Sequence, residues 1–322
     1  MDNSGNNMRK IIDKTVACQK PIRSYSGIKL LFTSVKFDYW NDENNTFHSS
    51  SEYELYIVNI DGTGLTLIDR IDDTTKDGQF GAVAWSPDDN KIVYARLYYN
   101  YLDNTYWEDV NLILYDISTK THTIIPTEEN VCSLSFSPDG RQIAYCTSIE
   151  NGHHIYKMDV DGNNNQLIIQ NASSPKWSPS GDKIVYSTTG KNFSPQISVA
   201  NADGSGQKQL TSTVESKWWD TGFPRGGNTN PQWTPDGNKI VYVSSENDRE
   251  EIFIMNADGS RQTRLTKAEY WDGSPEITPD GKCILFHSRK SDMMESGICI
   301  MKLDGSNQKV LSKVGANPVA CR

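Results

Sequence analysis

One short phrase recurs along this chain and constrains the fold more than any other feature. An aromatic or apolar residue leads into a Ser/Thr-Pro-Asp-Gly turn, and a short β-rich run follows it. Pro presets φ in this turn, Asp suits the next position, and Gly accepts a positive φ. The clear copies begin at Trp85, Phe136, Trp177, Trp233 and Ile277, and Tyr25–Gly27 is a degenerate sixth. The repetition predicts six hairpins of one design.

A second phrase ending in Asp-Gly follows most copies, as in FIMNADG from Phe253. It predicts another turn and a short fourth strand, so each unit reads as four antiparallel strands, A to D. Six such units predict an all-β chain, a six-bladed β-propeller over residues 27–322. A β-sandwich would not repeat one turn sequence so faithfully.

The two ends of the repeat array suggest how the first blade is completed. No strand A is evident before Lys29, whereas the C-terminal run from Asn317 to Cys321 resembles the start of strand A elsewhere. We therefore predict that residues 317–322 supply the innermost strand of blade 1, which would remove an exposed sheet edge. Residues 1–26 would then form an N-terminal arm.

The repeat from Trp233 to Thr266 resembles the WD40-like (PD40) repeats of TolB-type propellers, and the resemblance covers roughly Lys29 to Cys321. It implies a six-bladed propeller that binds protein partners. Residues 1–26 are too short for the additional N-terminal α/β domain of TolB. Related propellers precede prolyl-peptidase catalytic domains, but the sequence contains no GxSxG.

Charge and hydropathy limit the classes of partner. The formal net charge is −9, and no basic run with interleaved aromatics occurs, so nucleic-acid binding is not expected. No apolar run approaches membrane-spanning length. The N-terminus lacks the apolar core of a signal peptide. A secreted protein that is expressed without its leader would show the same N-terminus. The compartment stays open, and a monomer is expected.

The six cysteines are scattered and form no CxxC pattern. Cys132 and Cys146 flank one turn almost symmetrically and could lie opposite each other on two strands. A disulfide and a pair of buried thiols both remain open, and the thiols are favoured because the chain has no disulfide framework. The sequence predicts no cofactor and no metal site.

Three insertions interrupt the repeat: 36–52 between strands B and C of blade 1, 97–109 at the same point of blade 2, and 214–230 after strand D of blade 4. In a four-stranded meander, the B–C loops and the D–A crossovers lie at the same end of the sheets. The insertions should therefore project from one face, where recognition is normally built.

Aromatic residues concentrate in these insertions and in the crossover before blade 6. Five of the 8 tryptophans lie there, with carboxylates such as Asp272 among them. Aromatic side chains are favoured at binding sites, although they could instead pack their own loops. The candidate ligand-binding residues are Tyr39, Trp40, Tyr99, Tyr101, Tyr106, Trp107, Trp218, Trp219, Arg225, Tyr270 and Trp271.

Three functions are compatible with this pattern. The first is a non-catalytic propeller that binds a protein or peptide through the aromatic face. The second is a binder of glycans or small ligands, since aromatic platforms beside carboxylates suit sugar rings. The third is a metal-dependent polysaccharide lyase, which would require His48, His154 and His287 to converge. No catalytic residue is predicted, because no nucleophile or acid–base pattern is present.

Overall fold

A computed structural model describes residues 17–41, 47–71, 77–100, 105–127, 130–149, 152–188, 194–212, 227–245, 249–267, 270–290 and 296–314. The regular elements in these ranges are all β-strands, grouped into six four-stranded antiparallel sheets. The predicted fold class, a six-bladed propeller with four antiparallel strands in each blade, is confirmed. No helix suited to crossing a membrane occurs in the described ranges.

The strands follow chain order within every blade. Blade 1 consists of β1 (Ala17–Arg23), β2 (Lys29–Asn41), β3 (Phe47–Asn59) and β4 (Thr66–Ile71). Blade 2 consists of β5 (Asp77–Trp85), β6 (Lys91–Asn100), β7 (Thr105–Asp116) and β8 (Thr121–Pro126). Blade 3 consists of β9 (Asn130–Phe136), β10 (Gln142–Ile149), β11 (Gly152–Asp159) and β12 (Gln166–Ile169).

The last three blades repeat this layout. Blade 4 holds β13 (Ala172–Trp177), β14 (Lys183–Thr188), β15 (Gln196–Asn201) and β16 (Lys208–Gln209). Blade 5 holds β17 (Asn228–Trp233), β18 (Lys239–Ser244), β19 (Glu251–Asn256) and β20 (Thr263–Arg264). Blade 6 holds β21 (Tyr270–Ile277), β22 (Cys283–Lys290), β23 (Ser296–Lys302) and β24 (Lys309–Val314).

The described strands fall into two compact units. One contains β1–β8, and a core that includes Phe80, Trp85 and Tyr94 joins its two blades. The other contains β10–β24, and strand β9 is divided at the boundary. In this second unit separate apolar clusters lie between blades 3 and 4, 4 and 5, and 5 and 6. Face-to-face burial of neighbouring sheets explains why the aromatic of strand B recurs in the repeat.

Blade 1 departs from the sequence prediction. Strand β1 pairs antiparallel with β2, with Cys18 opposite Ser34 and Arg23 opposite Leu30. It therefore occupies the position of strand A that the sequence predicts for residues 317–322, and part of the predicted arm belongs to the blade. The C-terminal residues 315–322 lie outside the described ranges.

The repeated turn has the hydrogen bonds that its sequence predicts. In blade 5, Thr234 Oγ1 donates to Asp236 Oδ1 over 2.6 Å, and the Asn238 amide donates to the same oxygen over 3.0 Å. Gly237 closes the turn with φ of 71°. These contacts account for the Asp and Gly of the repeat as structural residues.

Candidate functional site

Two of the three predicted insertions are strand extensions rather than loops. The first lengthens β2 and β3 into a hairpin that places Tyr39 opposite Ser49 and Trp40 opposite His48. The second lengthens β6 and β7, with Asp77 of β5 opposite Tyr99 and Asp109 opposite Tyr98. Alternating aromatic and polar residues favour strands. Sequence reasoning missed the strand extensions because it treated every residue in excess of the repeat as part of a loop.

The remaining predicted site residues divide into three groups. Tyr106 and Trp107 begin β7. Tyr101, Trp218, Trp219 and Arg225 lie outside the described residues. Tyr270 and Trp271 begin β21, and the structure describes their side chains fully. The site below is therefore built on these two residues.

The blade-6 rim, as we name it, comprises Tyr270, Trp271, Asp272, Glu250 and Arg289. It lies where strand A of blade 6 begins and strand B ends, which is the end of the sheets predicted to carry the binding face. The register sets Trp271 opposite Arg289 and Tyr270 opposite Lys290. Tyr270 and Trp271 are both half-buried.

Trp271 and Arg289 form a cation–π pair on this rim. The guanidinium carbon of Arg289 lies 5.8 Å from the centre of the Trp271 ring, within cation–π range. The cation is held over the ring because the two residues face each other across β21 and β22. The pair offers a fixed aromatic surface and a positive charge side by side.

A carboxylate from blade 5 completes the rim. The amide of Asp272 donates to the carbonyl of Glu250 over 2.7 Å, which ties the start of β21 to the start of β19. A Cβ added to Gly273 would lie 2.9 Å from Oε2 of Glu250, so the glycine leaves room for this exposed side chain. The rim therefore combines aromatic, cationic and anionic groups.

Asp272 is the chemically unusual member of the rim. Its side chain is 1% exposed, and its Oδ1 has no hydrogen-bond partner. Burial raises the pKa of this carboxyl to about 6, and the charge of Glu251 adds to the rise. Hydrogen bonds from Ser288 and Thr266 act in the opposite direction. This buried acid therefore changes its protonation state near pH 6.

Groups that face Asp272 come from several strands. Glu251, itself 1% exposed, pairs with Arg264 of β20 at 3.3 Å. On β22, His287 and Arg289 flank Ser288, the residue opposite Asp272. On β23, burial and the Asp272 charge raise the pKa of Cys299 to about 11. Arg264 offsets part of the negative charge of Glu251. The carboxyls of Asp272 and Glu251 are nevertheless both buried at the junction between blades 5 and 6.

One group of metal-ligand types meets within the described residues, and it is not the predicted histidine set. Ligand atoms of Cys146 and His153 in blade 3 lie within 4.8 Å of each other. His154 points elsewhere, since its Nδ1 accepts a hydrogen bond from the Asn171 amide over 3.1 Å. His287 is absent from the group, and the His48 side chain is not described.

A surface groove of about 590 Å³ lies at the turn end of blade 6, away from the rim. Its lining includes Cys283, Met301 and Leu303 together with three lysines: Lys282, Lys302 and Lys309. Sequence reasoning did not predict this groove, because its lining residues occupy ordinary repeat positions.

The blades, their turns and the repeat together define a TolB-type propeller. The chain matches the family described as PD40, the TolB beta propeller domain, over residues 22–221 and 221–319. It belongs to that family. Family membership accounts for the repeated turns and strands, whereas the aromatic insertions are departures from the repeat.

Curated relatives share part of the chain. The Tol-Pal system protein TolB of Francisella tularensis is 28% identical over 262 residues, or 79% of this chain and 55% of that protein. An uncharacterized protein of Agrobacterium fabrum is 27% identical over 184 residues, or 54% of this chain and 59% of its own length. The chain thus spans little more than half of either relative.

Solved structures resemble the chain in fold. TolB from Acinetobacter baumannii aligns with a TM-score of 0.57 at 17% identity, covering 90% of this chain and 77% of that one. An oligogalacturonate lyase in complex with manganese aligns with a TM-score of 0.65 at 15% identity, covering 94% and 79%. At these identities the likeness concerns the fold alone.

Proposed function

We propose that this protein is a non-catalytic binding propeller that recognises a protein or peptide partner through the aromatic face to which the blade-6 rim belongs. The observation that carries the proposal is the Trp271–Arg289 pair. Tryptophan and arginine are the residue types most enriched among the energetic anchors of protein interfaces. Here the two residues are preassembled at 5.8 Å beside the exposed carboxylate of Glu250.

The arrangement suits a peptide for three reasons. The half-buried ring of Trp271 can be covered at little entropic cost, because its orientation is already fixed by the facing strand. Arg289 and Glu250 can select opposite charges on a partner. The relative from Francisella tularensis is named as a member of the Tol-Pal system, which is consistent with a role in a protein assembly.

The test is a peptide-display selection against the whole protein, followed by affinity measurement for each enriched peptide. We expect selected peptides to lose roughly 30-fold or more in affinity for Trp271→Ala, the effect of losing an interface anchor worth about 2 kcal/mol. The matched control is Tyr25→Ala, which removes an aromatic side chain that is 60% exposed in a repeat turn. Peptides that bind both variants like the unmodified protein would contradict the proposal.

A glycan is the second candidate, because Trp271 lies beside carboxylates that could hydrogen-bond sugar hydroxyls. An oligosaccharide array probed with the same two variants separates the candidates. Oligosaccharide binding that disappears in Trp271→Ala, together with no enriched peptide, would replace the protein partner by a glycan.

A further inference from the structure

The turn-end groove, as we name the groove of about 590 Å³ in blade 6, is lined by residues 282–283, 300–304, 307 and 309. They come from the start of β22, the end of β23 and the region where β24 begins, and all belong to one compact unit. The volume lies within the roughly 300–1,000 Å³ that is usual for sites of small molecules. The groove is therefore large enough to hold a ligand of that size.

One face of the blade supplies both apolar and basic side chains to the groove. Cys283 lies opposite Lys302, and Ile300 lies opposite Lys309. Residues 300 and 302 are alternate positions of β23, so these four side chains lie on the same face of the sheet. Ile300 is buried and Cys283 is half-buried, whereas both lysines are exposed. The groove thus has an apolar floor and a basic border.

The pair at this point of the sheet differs from its counterparts in the other blades. In blades 1–5 the first residue of strand B is a lysine or a glutamine, and an asparagine or an aspartate lies opposite it. These pairs are Lys29–Asn59, Lys91–Asp116, Gln142–Asp159, Lys183–Asn201 and Lys239–Asn256. In blade 6 the pair is Cys283 and Lys302. A short side chain stands where the other blades have a long one, which makes room for the groove, and the positive charge lies on the opposite strand.

Lys302 does not have the structural role of the residue that it replaces. In blade 5, Asn256 Nδ2 donates to Ser260 Oγ over 2.9 Å and so supports the turn between strands C and D. The ammonium of Lys302 makes no hydrogen bond or salt bridge with the part of the chain that the structure describes. The turn of blade 6 is held without it, because the Ser306 amide and hydroxyl donate to Asp304 Oδ1 over 2.9 Å and 2.6 Å. The Lys302 cation is therefore available to a ligand.

We propose that the turn-end groove binds a small organic anion, namely a carboxylate carried on an apolar body. Ile300 and Cys283 cover the apolar body. Lys302 and Lys309 hold the carboxylate through charge-assisted hydrogen bonds.

The charges around the groove favour an anion over a neutral or cationic ligand. The lining contains three lysines and one carboxylate, that of Asp304, which Ser306 already engages. The third lysine, Lys282, has a side chain that is 78% exposed, and its ammonium lies 3.8 Å from Asp280. An exposed pair of this length is weak, so Lys282 can turn toward a ligand. In a chain with a formal net charge of −9, this local excess of positive charge attracts an anion that the surface as a whole repels.

Cys283 acts as a small apolar side chain in the wall of the groove. Burial raises the pKa of its thiol, and the charge of Asp280 adds to the rise. The charges of Lys302 and Lys282 oppose it, which shows that both cations lie near the thiol. Because the pKa is raised, the thiol stays protonated at neutral pH and offers a neutral surface to the ligand.

The experiment is isothermal titration of the full-length protein with decanoate and with 2-naphthoate, two carboxylates whose apolar bodies are aliphatic and aromatic. Citrate carries the charge without an apolar body, and 2-naphthol carries the ring without the carboxylate. We expect saturable one-to-one binding of at least one of the two carboxylates and much weaker binding of citrate and 2-naphthol. The affinity should fall as salt is added, because exposed charges are screened.

Single variants test the lysines. Lys302→Gln and Lys309→Gln should each lower the affinity about tenfold or more, the effect of losing one charge-assisted hydrogen bond. The matched control is Lys208→Gln in blade 4, since Lys208 lies opposite Val199 as Lys309 lies opposite Ile300. Trp271→Ala at the blade-6 rim should also leave the affinity unchanged, so the result does not depend on the function proposed for that rim.

A double variant tests the shape of the groove separately from its charge. Cys283→Lys combined with Lys302→Asn installs the Lys239–Asn256 pair of blade 5 and keeps the net charge of the chain. The long side chain should fill the groove and abolish binding, whereas an anion attracted by charge alone would bind as before. A melting temperature near that of the unmodified protein shows that the variant is folded.

Three outcomes would overturn the proposal. They are no saturable binding of either carboxylate, binding of citrate or 2-naphthol that is as tight as that of the carboxylates, and full affinity in both Lys302→Gln and the double variant.

Discussion

Asn228 donates a hydrogen bond from Nδ2 to Oε1 of Gln196 over 3.0 Å, at the junction of blades 4 and 5. Thr211 Oγ1 donates to the same oxygen over 2.9 Å. One blade further on, the corresponding residues are Asp272, Glu251 and Thr266. At both junctions the amide of residue 228 or 272 donates a backbone hydrogen bond of 2.7 Å to the preceding blade, to the carbonyl of Pro195 or Glu250. Two hydrogen-bonded amides at the first junction thus correspond to two carboxyls at the second.

Asp272→Asn should replace one of the two carboxyls by an amide and stabilise the protein at neutral pH. The pKa of Asp272 is raised in the folded state, so the folded chain holds a proton that the unfolded chain releases. Stability therefore falls as the pH rises from about 4 to about 6, by roughly 2–3 kcal/mol in all. The variant should melt higher than the unmodified protein at pH 7, and the difference should shrink toward pH 4.

The reverse change supplies the control. Asn228→Asp places a carboxyl in the blade 4–5 junction and should create the same loss of stability with rising pH. Melting curves for both variants between pH 4 and pH 8 test the argument. A pH-independent effect of Asp272→Asn would show that the buried acid is not the source.

Asp69→Ala should be among the most destabilising single changes in blades 1 and 2. Asp69 is 8% exposed and accepts hydrogen bonds from Tyr94 Oη at 2.6 Å and Arg96 Nε at 2.7 Å, as well as from the Arg96 Nη2 group. Its removal leaves a partly buried guanidinium without its anion, at a cost of about 3–5 kcal/mol. Urea unfolding measures the loss.

Tyr94→Phe is the matched control, because it deletes one hydrogen bond and keeps both charges. We expect a cost of about 1 kcal/mol. Equal losses in the two variants would mean that the ion pair contributes nothing beyond the hydroxyl.

Gly204→Ala should disrupt the junction between blades 3 and 4. Gly204 has φ of 85°, and an added Cβ would lie 2.3 Å from the carbonyl oxygen of Ile168. Gly237→Ala carries similar backbone strain at φ of 71°, but its nearest neighbour, in Pro179, is 3.7 Å away. Thermal melting should show a clearly larger loss for Gly204→Ala, and similar losses would implicate backbone strain alone.

Thr234→Val should weaken the repeat turn of blade 5 and raise the pKa of Asp236. The Thr234 hydroxyl is the largest cause of the lowered pKa of that carboxyl, and its Oγ1 also accepts from the Lys239 amide over 3.0 Å. The expected cost is about 1–2 kcal/mol. The lowered pKa of Asp236 stabilises the folded state fully only at a pH above the pKa of the carboxyl in the unfolded chain. The stabilisation by the Thr234–Asp236 hydrogen bond should therefore be lost as the pH falls through the folded-state pKa. An NMR titration of Asp236 that shows no upward shift would contradict the assignment.

The sequence predicted the blades well because turn chemistry is local. Pro, Asp and Gly at fixed offsets specify each hairpin whatever the rest of the chain does, as the Thr234–Asp236 contact shows. The face that carries Tyr270 and Trp271 was also predictable, because the ends of a meander alternate in a known order.

Features that depend on distant parts of the chain could not be read in this way. Strand β1 lacks the repeat phrase, so its pairing with β2 left no pattern to detect. The proximity of Cys146 to His153 depends on the register of β10 on β11, which the spacing of the residues does not reveal. The sequence showed Asp272 only as a carboxylate among aromatic residues, and its 1% exposure shows that it is buried.

Strand β1 has a consequence for the order of synthesis. Every blade is built from one uninterrupted stretch of sequence, and this includes blade 1, from 17 to 71. Pairing between strands close in sequence lowers the contact order, and such local structure forms quickly. The first blade can therefore assemble on the ribosome as soon as its own residues emerge, and later blades can be added to it one at a time.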